Sequence, residues 1–210
     1  MCYDKSSPLT NLDKRTFHQR RQISYKKAAL RIRFENCCKM SQDQFTFRRA
    51  EKDDIKAVRE MIQELADFER MSNGPELSEA DLIRDSGLDG GQEFCHIYVL
   101  IDNATNLCIG YAICFNSYST WQGRSLFLED IYVRPAHRKR GAGARIFREV
   151  AAIAVQLGCR RLDFHVLGWN PAREFYDRLG ATNLTESEEW HFYRVEQQQL
   201  AKLTSELNSK

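Results

Sequence analysis

Between Leu126 and Leu157 an apolar run, a basic turn carrying two glycines and an amphipathic stretch follow one another without a gap. No other feature of the chain constrains its folding as much. Leu126-Phe127-Leu128-Glu129-Asp130-Ile131-Tyr132-Val133 has the length and composition of a buried strand. In residues 144–157 the apolar positions Ile146, Phe147, Val150, Ala151, Ala154 and Leu157 keep helical spacing. Arg138-Lys139-Arg140-Gly141-Ala142-Gly143 lies between them. Strand, glycine turn and helix start together suit a pyrophosphate. Glycines let backbone N–H groups come close, the helix N-terminus adds positive potential, and arginines supply counter-charge. The dinucleotide fingerprint is not met, because Ile146 stands where a third glycine belongs, and no Gly-Lys-Ser/Thr follows to make a P-loop.

The rest of the chain reads as alternating elements. A strand is expected at 45–49, and a helix capped by Asp53 at 53–70, with Ile55, Val58, Ile62, Leu65 and Phe68 as its apolar stripe. Ser78 with Asp81 opens a shorter helix to about 86. Strands are expected at 94–101, 107–118, 124–133 and 161–167. A helix is expected at 171–179, with Asn170 as its cap, then a last strand at 190–195 and a polar tail.

With 210 residues and 42% hydrophobic content, the chain can bury one substantial core. The net charge of +2 hides an asymmetry. Residues 1–42 form a basic extension, expected to be disordered, with Met40 as an alternative start. Residues 43–210 form a single domain whose acidic balance suits a cationic substrate. Nucleic acid is not the expected partner of the arm. The seven cysteines show no C-x-x-C pair, and several sit in apolar runs. They read as small buried hydrophobes in a reducing compartment, which points to the cytoplasm. The histidines lack metal-ligand spacing, so no metal is expected, and His165 and His191 read as packing residues. No stretch is long and apolar enough to span a membrane.

The pattern R-x-x-G-x-G after a strand ending in Leu128-Glu129-Asp130-x-x-Val133 resembles the acetyl-CoA loop of the GNAT superfamily of N-acetyltransferases. The order β-α-α-β-β-β-α-β-α-β is similar to that superfamily's. Glu64 to Glu69, Tyr118-Ser119-Thr120-Trp121-Gln122-Gly123-Arg124, Trp169-Asn170, Phe175-Tyr176 and Glu188-Glu189-Trp190-His191-Phe192 resemble its spermidine/spermine (diamine) acetyltransferase branch, nearest the thialysine subtype. The resemblance covers residues 45–195 and implies an α/β (α+β) fold, a mixed and mostly antiparallel sheet with helices on both faces.

It also implies acetyl transfer from acetyl-CoA to a primary amine of a small diamine, polyamine or lysine-like amino acid. A protein N-terminus or lysine is the alternative acceptor. Glu129 would assist deprotonation of the amine, and Tyr176 would be the general acid. Ile131, Tyr132, Val133, the turn Arg138, Lys139, Arg140, Gly141, Ala142, Gly143 and Ala144, and Asn170 would hold the cofactor. Phe68, Glu69, Trp121, Glu129, Asp130 and Glu188 would hold the acceptor, and a homodimer is implied. Only six steps separate Asn170 from Tyr176, one fewer than is usual, which puts Asn170 and Ala172 in doubt more than Tyr176. Glu189 replaces the usual glycine before Trp190.

Overall fold

The computed structural model describes residues 44–207, so the expected basic extension, with Cys2, Cys37, Cys38 and Met40, lies outside the described residues. The described residues fall into two compact units, one running through His165 and the other starting at Val166.

The first unit is built on a five-stranded sheet in the order β1-β2-β3-β4-β5. The strands are β1 Phe45–Arg49, β2 His96–Asp102, β3 Leu107–Ser119, β4 Gly123–Val133 and β5 Arg161–Phe164. The first three pairings are antiparallel and β4–β5 is parallel. Two helices, α1 Ile55–Phe68 and α2 Glu79–Asp85, cover one face, and α3 Ala142–Gln156 covers the other. Ile55, Val58, Met61 and Leu82 pack with Ile97, Val99, Tyr111 and Tyr132 on the first face. Ile146, Val150 and Ala154 pack with Leu100, Ala112, Leu126 and Leu128 on the second. This is the expected mixed sheet between helical layers.

Helix α2 begins as its sequence predicts, with Ser78 accepting from Asp81 N–H while Asp81 accepts from Ser78 N–H. Asp53 is not the cap of the first helix. Asp54 holds that position, and Glu51 and Asp54 form the capping box of the short 3-10 turn Lys52–Asp54 that leads into α1, with Asp53 inside it. Close packing of α3 on the sheet depends on Gly110. A Cβ built there would lie 2.7 Å from Tyr132 O and 3.0 Å from Ile146 Cδ1.

The second unit holds α4 Ala172–Arg178, the short α5 Leu184–Ser187 and α6 Gln197–Leu207. The strand expected at 190–195 is absent, and Trp190, Phe192 and Tyr193 are exposed. Alternation alone cannot make a strand without a neighbour to take its N–H and C=O groups. Glu189, at φ 57°, also turns the chain out of the extended conformation just before it. The polar tail is instead largely helical, as its Gln, Leu, Ala and Lys content favours.

Candidate active site

The register of β4 creates the site's central irregularity. Ile113 pairs with Asp130 and Cys114 with Leu128, so Glu129 is an extra residue without a partner on β3. Such a bulge reverses the side-chain alternation. Leu126 and Leu128 point into the α3-side core, yet beyond the bulge Tyr132 enters the α1-side core and Val133 the α3-side core. Glu129 itself is exposed.

The same stretch of β4 also loses its other neighbour. Pairing with β5 stops at Leu128 opposite Phe164, so residues 129–133 have no strand on that edge among the described residues. Arg134 N–H donates to Ile109 O on β3 at 2.9 Å. By antiparallel alternation Tyr132 also faces β3, and Ile131 and Val133 face the open edge. Val133 spends its carbonyl there on Arg138 Nε, at 2.7 Å. Tyr132 is therefore turned away from the edge, and its hydroxyl donates to Glu64 Oε2 at 3.1 Å.

Following β4, the basic turn bends with Lys139 and Gly141 both in the left-handed region, at φ 63° and 85°. Gly141 is the N-cap of α3, and a Cβ at Gly141 or Gly143 would meet nothing within 4 Å. Helix geometry leaves the N–H groups of Ala142, Gly143 and Ala144 without intrahelical acceptors, beside this open space. The cradle is therefore not filled by side chains. The arginines differ from the expectation that they supply counter-charge. Arg138 lies over the rings of Tyr132 and Phe68, 5.2 and 5.9 Å from their centroids. Arg140 bonds to Asp102 Oδ2 at 2.7 Å, because that buried carboxylate requires a cation.

Three of the acidic candidates converge electrostatically. Asp130 accepts from the Tyr111 hydroxyl at 3.1 Å. Burial pushes its carboxyl up to about 6 against the Tyr111 bond, with the charges of Glu129 and Glu69 adding to the rise. Burial likewise raises Glu69, at the C-terminal end of α1 next to half-exposed Phe68. Burial and the neighbouring Asp130 hold Tyr111 protonated far above its ordinary range, which keeps it a donor. Trp121 is not brought to this cluster. It sits 82% exposed in the β3–β4 turn. At ~3.4 Å per residue, that turn lies roughly 20 Å along β4 from Glu129.

In the second unit Tyr176 is buried in α4, its ring edge-on to Phe175 at 5.2 Å. Asn170 accepts from Ala172 N–H at 2.9 Å through its side chain, but the N-cap of this helix is Pro171 and not Asn170, which makes a turn just before it. Glu188 lies at the C-terminal end of α5 and accepts from Trp190 Nε1 at 2.7 Å. His165, just past β5, packs on the Phe127 ring at 5.0 Å, whereas His191 is exposed and outside any strand. Cys114 is buried with its thiol pushed up to about 12, and half-buried Cys108 up to about 11, as packing cysteines are. Among the described residues no group of three or more His, Cys, Asp or Glu is placed to hold a metal ion. No described helix is long and apolar enough to cross a membrane.

A bulged acidic strand with an open edge, leading into a glycine cradle at a helix N-terminus, is matched by similarity to known proteins. The profile of the acetyltransferase (GNAT) family matches residues 58–181. The chain belongs to that family. It is 39% identical to the thialysine N-epsilon-acetyltransferase of Bos taurus over 74% of this chain and 95% of that one. It is 35% identical to the Homo sapiens spermidine/spermine N(1)-acetyltransferase-like protein 1, over 76% of this chain and 24% of that longer protein. Among solved structures, an integron cassette protein from the mobile metagenome of V. cholerae superposes with a TM-score of 0.59 at 22% identity, covering 77% of this chain and 98% of that one. AAC(6')-Iy, in complex with a CoA-based bisubstrate analog, gives 0.56 at 20%, covering 72% and 98%. Both structures share the GNAT fold seen here. As a GNAT protein the chain is an acetyl-CoA-dependent N-acetyltransferase.

Proposed function

We propose that this GNAT enzyme acetylates a primary amine of a small diamine, polyamine or lysine-like amino acid such as thialysine. The observation that carries this reading is the acidic patch of Glu69, Glu129 and Asp130 beside the open edge of β4. Burial raises the proton affinity of Glu69 and Asp130, and the charges of Glu129 and Glu69 beside Asp130 add a local negative field that suits a compact cation.

The residues present fit acetyl-CoA. Open space at Gly141 and Gly143 admits a diphosphate against the amides of Ala142, Gly143 and Ala144, with exposed Lys139 alongside. Ile131 and the Val133 N–H offer the open edge a strand-like partner. Bound there, acetyl-CoA supplies an activated thioester carbonyl.

An alkyl ammonium has a pKa near 10.4, so about one molecule in 10³ is a free nucleophile at pH 7, a handicap of about 4 kcal/mol. Glu129, exposed on its bulge, accepts the ammonium proton through water. The amine nitrogen then bonds to the acetyl carbon while the carbon–sulfur bond breaks. By the family resemblance, Tyr176 gives its proton to the departing thiolate and regains one from the acetylated nitrogen as the amide forms. Glu188 and Trp121 belong to the acceptor groove on the same resemblance. At its distance from Glu129, Trp121 contributes only across a subunit interface, which accords with a homodimer. A cytoplasmic location accords with the free, packed thiols.

The reading is tested by following thiol release from acetyl-CoA with spermidine, thialysine, lysine and a histone-tail peptide side by side. Turnover concentrated on the small amines supports it, and turnover of the peptide alone contradicts it.

A further inference from the structure

Arg140 and Asp102 are 38 residues apart and meet behind the glycine cradle. Asp102 ends β2 with a side chain only 2% exposed, and a carboxylate so deeply placed needs a partner. Its Oδ1 accepts from Ala104 N–H at 3.1 Å, holding the β2–β3 turn, and its Oδ2 takes Arg140 Nη1 at 2.7 Å. His137, from the short turn before the cradle, approaches the same Oδ2 at 3.5 Å. With its amide oxygen turned toward the guanidinium, Gln44 accepts from Arg140 Nε at 3.0 Å and Nη2 at 2.5 Å. The guanidinium also lies over the Phe45 ring at 5.3 Å. All three nitrogens of Arg140 thus bond to Asp102 or Gln44, which ties the guanidinium down within the protein. The pairing holds Asp102 below the usual carboxylate range, chiefly through the Arg140 bond.

Arg140 stands between Lys139 and Gly141, the two left-handed residues that shape the cradle. Lys139 has no glycine's freedom there, and a non-glycine residue in that region costs about 1 kcal/mol or more. A turn so disfavoured keeps its shape only where something else fixes it. We propose that Asp102 and Arg140 form a latch that positions the 139–144 cradle for the diphosphate of acetyl-CoA, with Arg140 acting as a positioning residue and not as a phosphate ligand. The inference rests on the reading that this cradle takes the diphosphate. Releasing the latch lowers the fraction of chains with a competent cradle, and apparent affinity falls by that same fraction.

The test uses the full-length chain with Asp102→Asn, which keeps an acceptor for Ala104 N–H and gives up the ion pair. The expected result is a KM for acetyl-CoA raised about 10-fold or more, in the range of a lost charged hydrogen bond. kcat at saturating acetyl-CoA stays within about twofold, and KM for the amine is unchanged. S-acetylpantetheine, which lacks the diphosphate, is used with unchanged kcat/KM. If Asp102→Asn is too unstable to assay, Arg140→Lys keeps a cation but loses the Gln44 contacts, and should show a smaller rise in the same constant alone. An unchanged KM for acetyl-CoA in the variant assayed, or an equal loss with both donors, overturns the latch. Gly143→Val separates the two ideas by filling the cradle. If it leaves CoA affinity intact, the cradle reading itself fails. If it abolishes CoA binding while the latch variants bind normally, only the latch fails.

Discussion

At the scale of single residues, Asp130 carries the least ordinary chemistry. Its carboxyl ordinarily titrates near 3.8 and is pushed up to about 6 in the fold. The folded chain therefore binds more protons than the unfolded chain between about pH 4 and 6. Stability from this group declines as pH rises through that window and stays low above it. Asp130→Asn removes the penalty while leaving an acceptor for Tyr111. It should stabilise the protein by up to about 3 kcal/mol at pH 7–8, with the advantage vanishing below pH 4. Melting temperature measured against pH checks this, and an acceptor role for Asp130 predicts a raised KM for the amine in the same variant. Tyr176→Phe should lower turnover about 10²–10⁴-fold, the usual range for a general acid, in a thiol-release assay. The place of the glycine turn between β4 and α3 was readable because its signal is local. The commitment of Arg140 to Asp102 was not, because a basic side chain in a phosphate-like turn looks the same whether it faces a ligand or a carboxylate 38 positions away.

At the scale of elements, β4 and α3 followed from patterning to within about two residues, since both bury a regular apolar face. The bulge at Glu129 was hidden, because a run that is apolar on both faces carries no alternation to break. Gly110 was hidden for a related reason. Its role is absence of volume where β3, β4 and α3 meet, and nothing in the flanking residues signals that. Gly110→Ala should destabilise the first unit by about 1–3 kcal/mol, the cost of overpacking a tight contact, as measured by chemical denaturation. The strand expected at 190–195 failed because pairing is a tertiary property that composition does not supply.

At the scale of the whole molecule, the order of elements through β5 was legible from hydrophobic periodicity and glycine placement, and it leads to the GNAT fold. If the neutral amine is the reacting species, kcat/KM for the acceptor rises about 10-fold per pH unit from pH 7 to 9. More locally, we propose that the glycine cradle and the open edge of β4 together hold the acetyl donor. A crystal structure with CoA tests it most directly. The predicted result places the diphosphate about 2.7–3.2 Å from the amide nitrogens of residues 142–144, with the pantetheine arm paired to Ile131. A CoA molecule bound elsewhere, with that edge and those amides untouched, would contradict it.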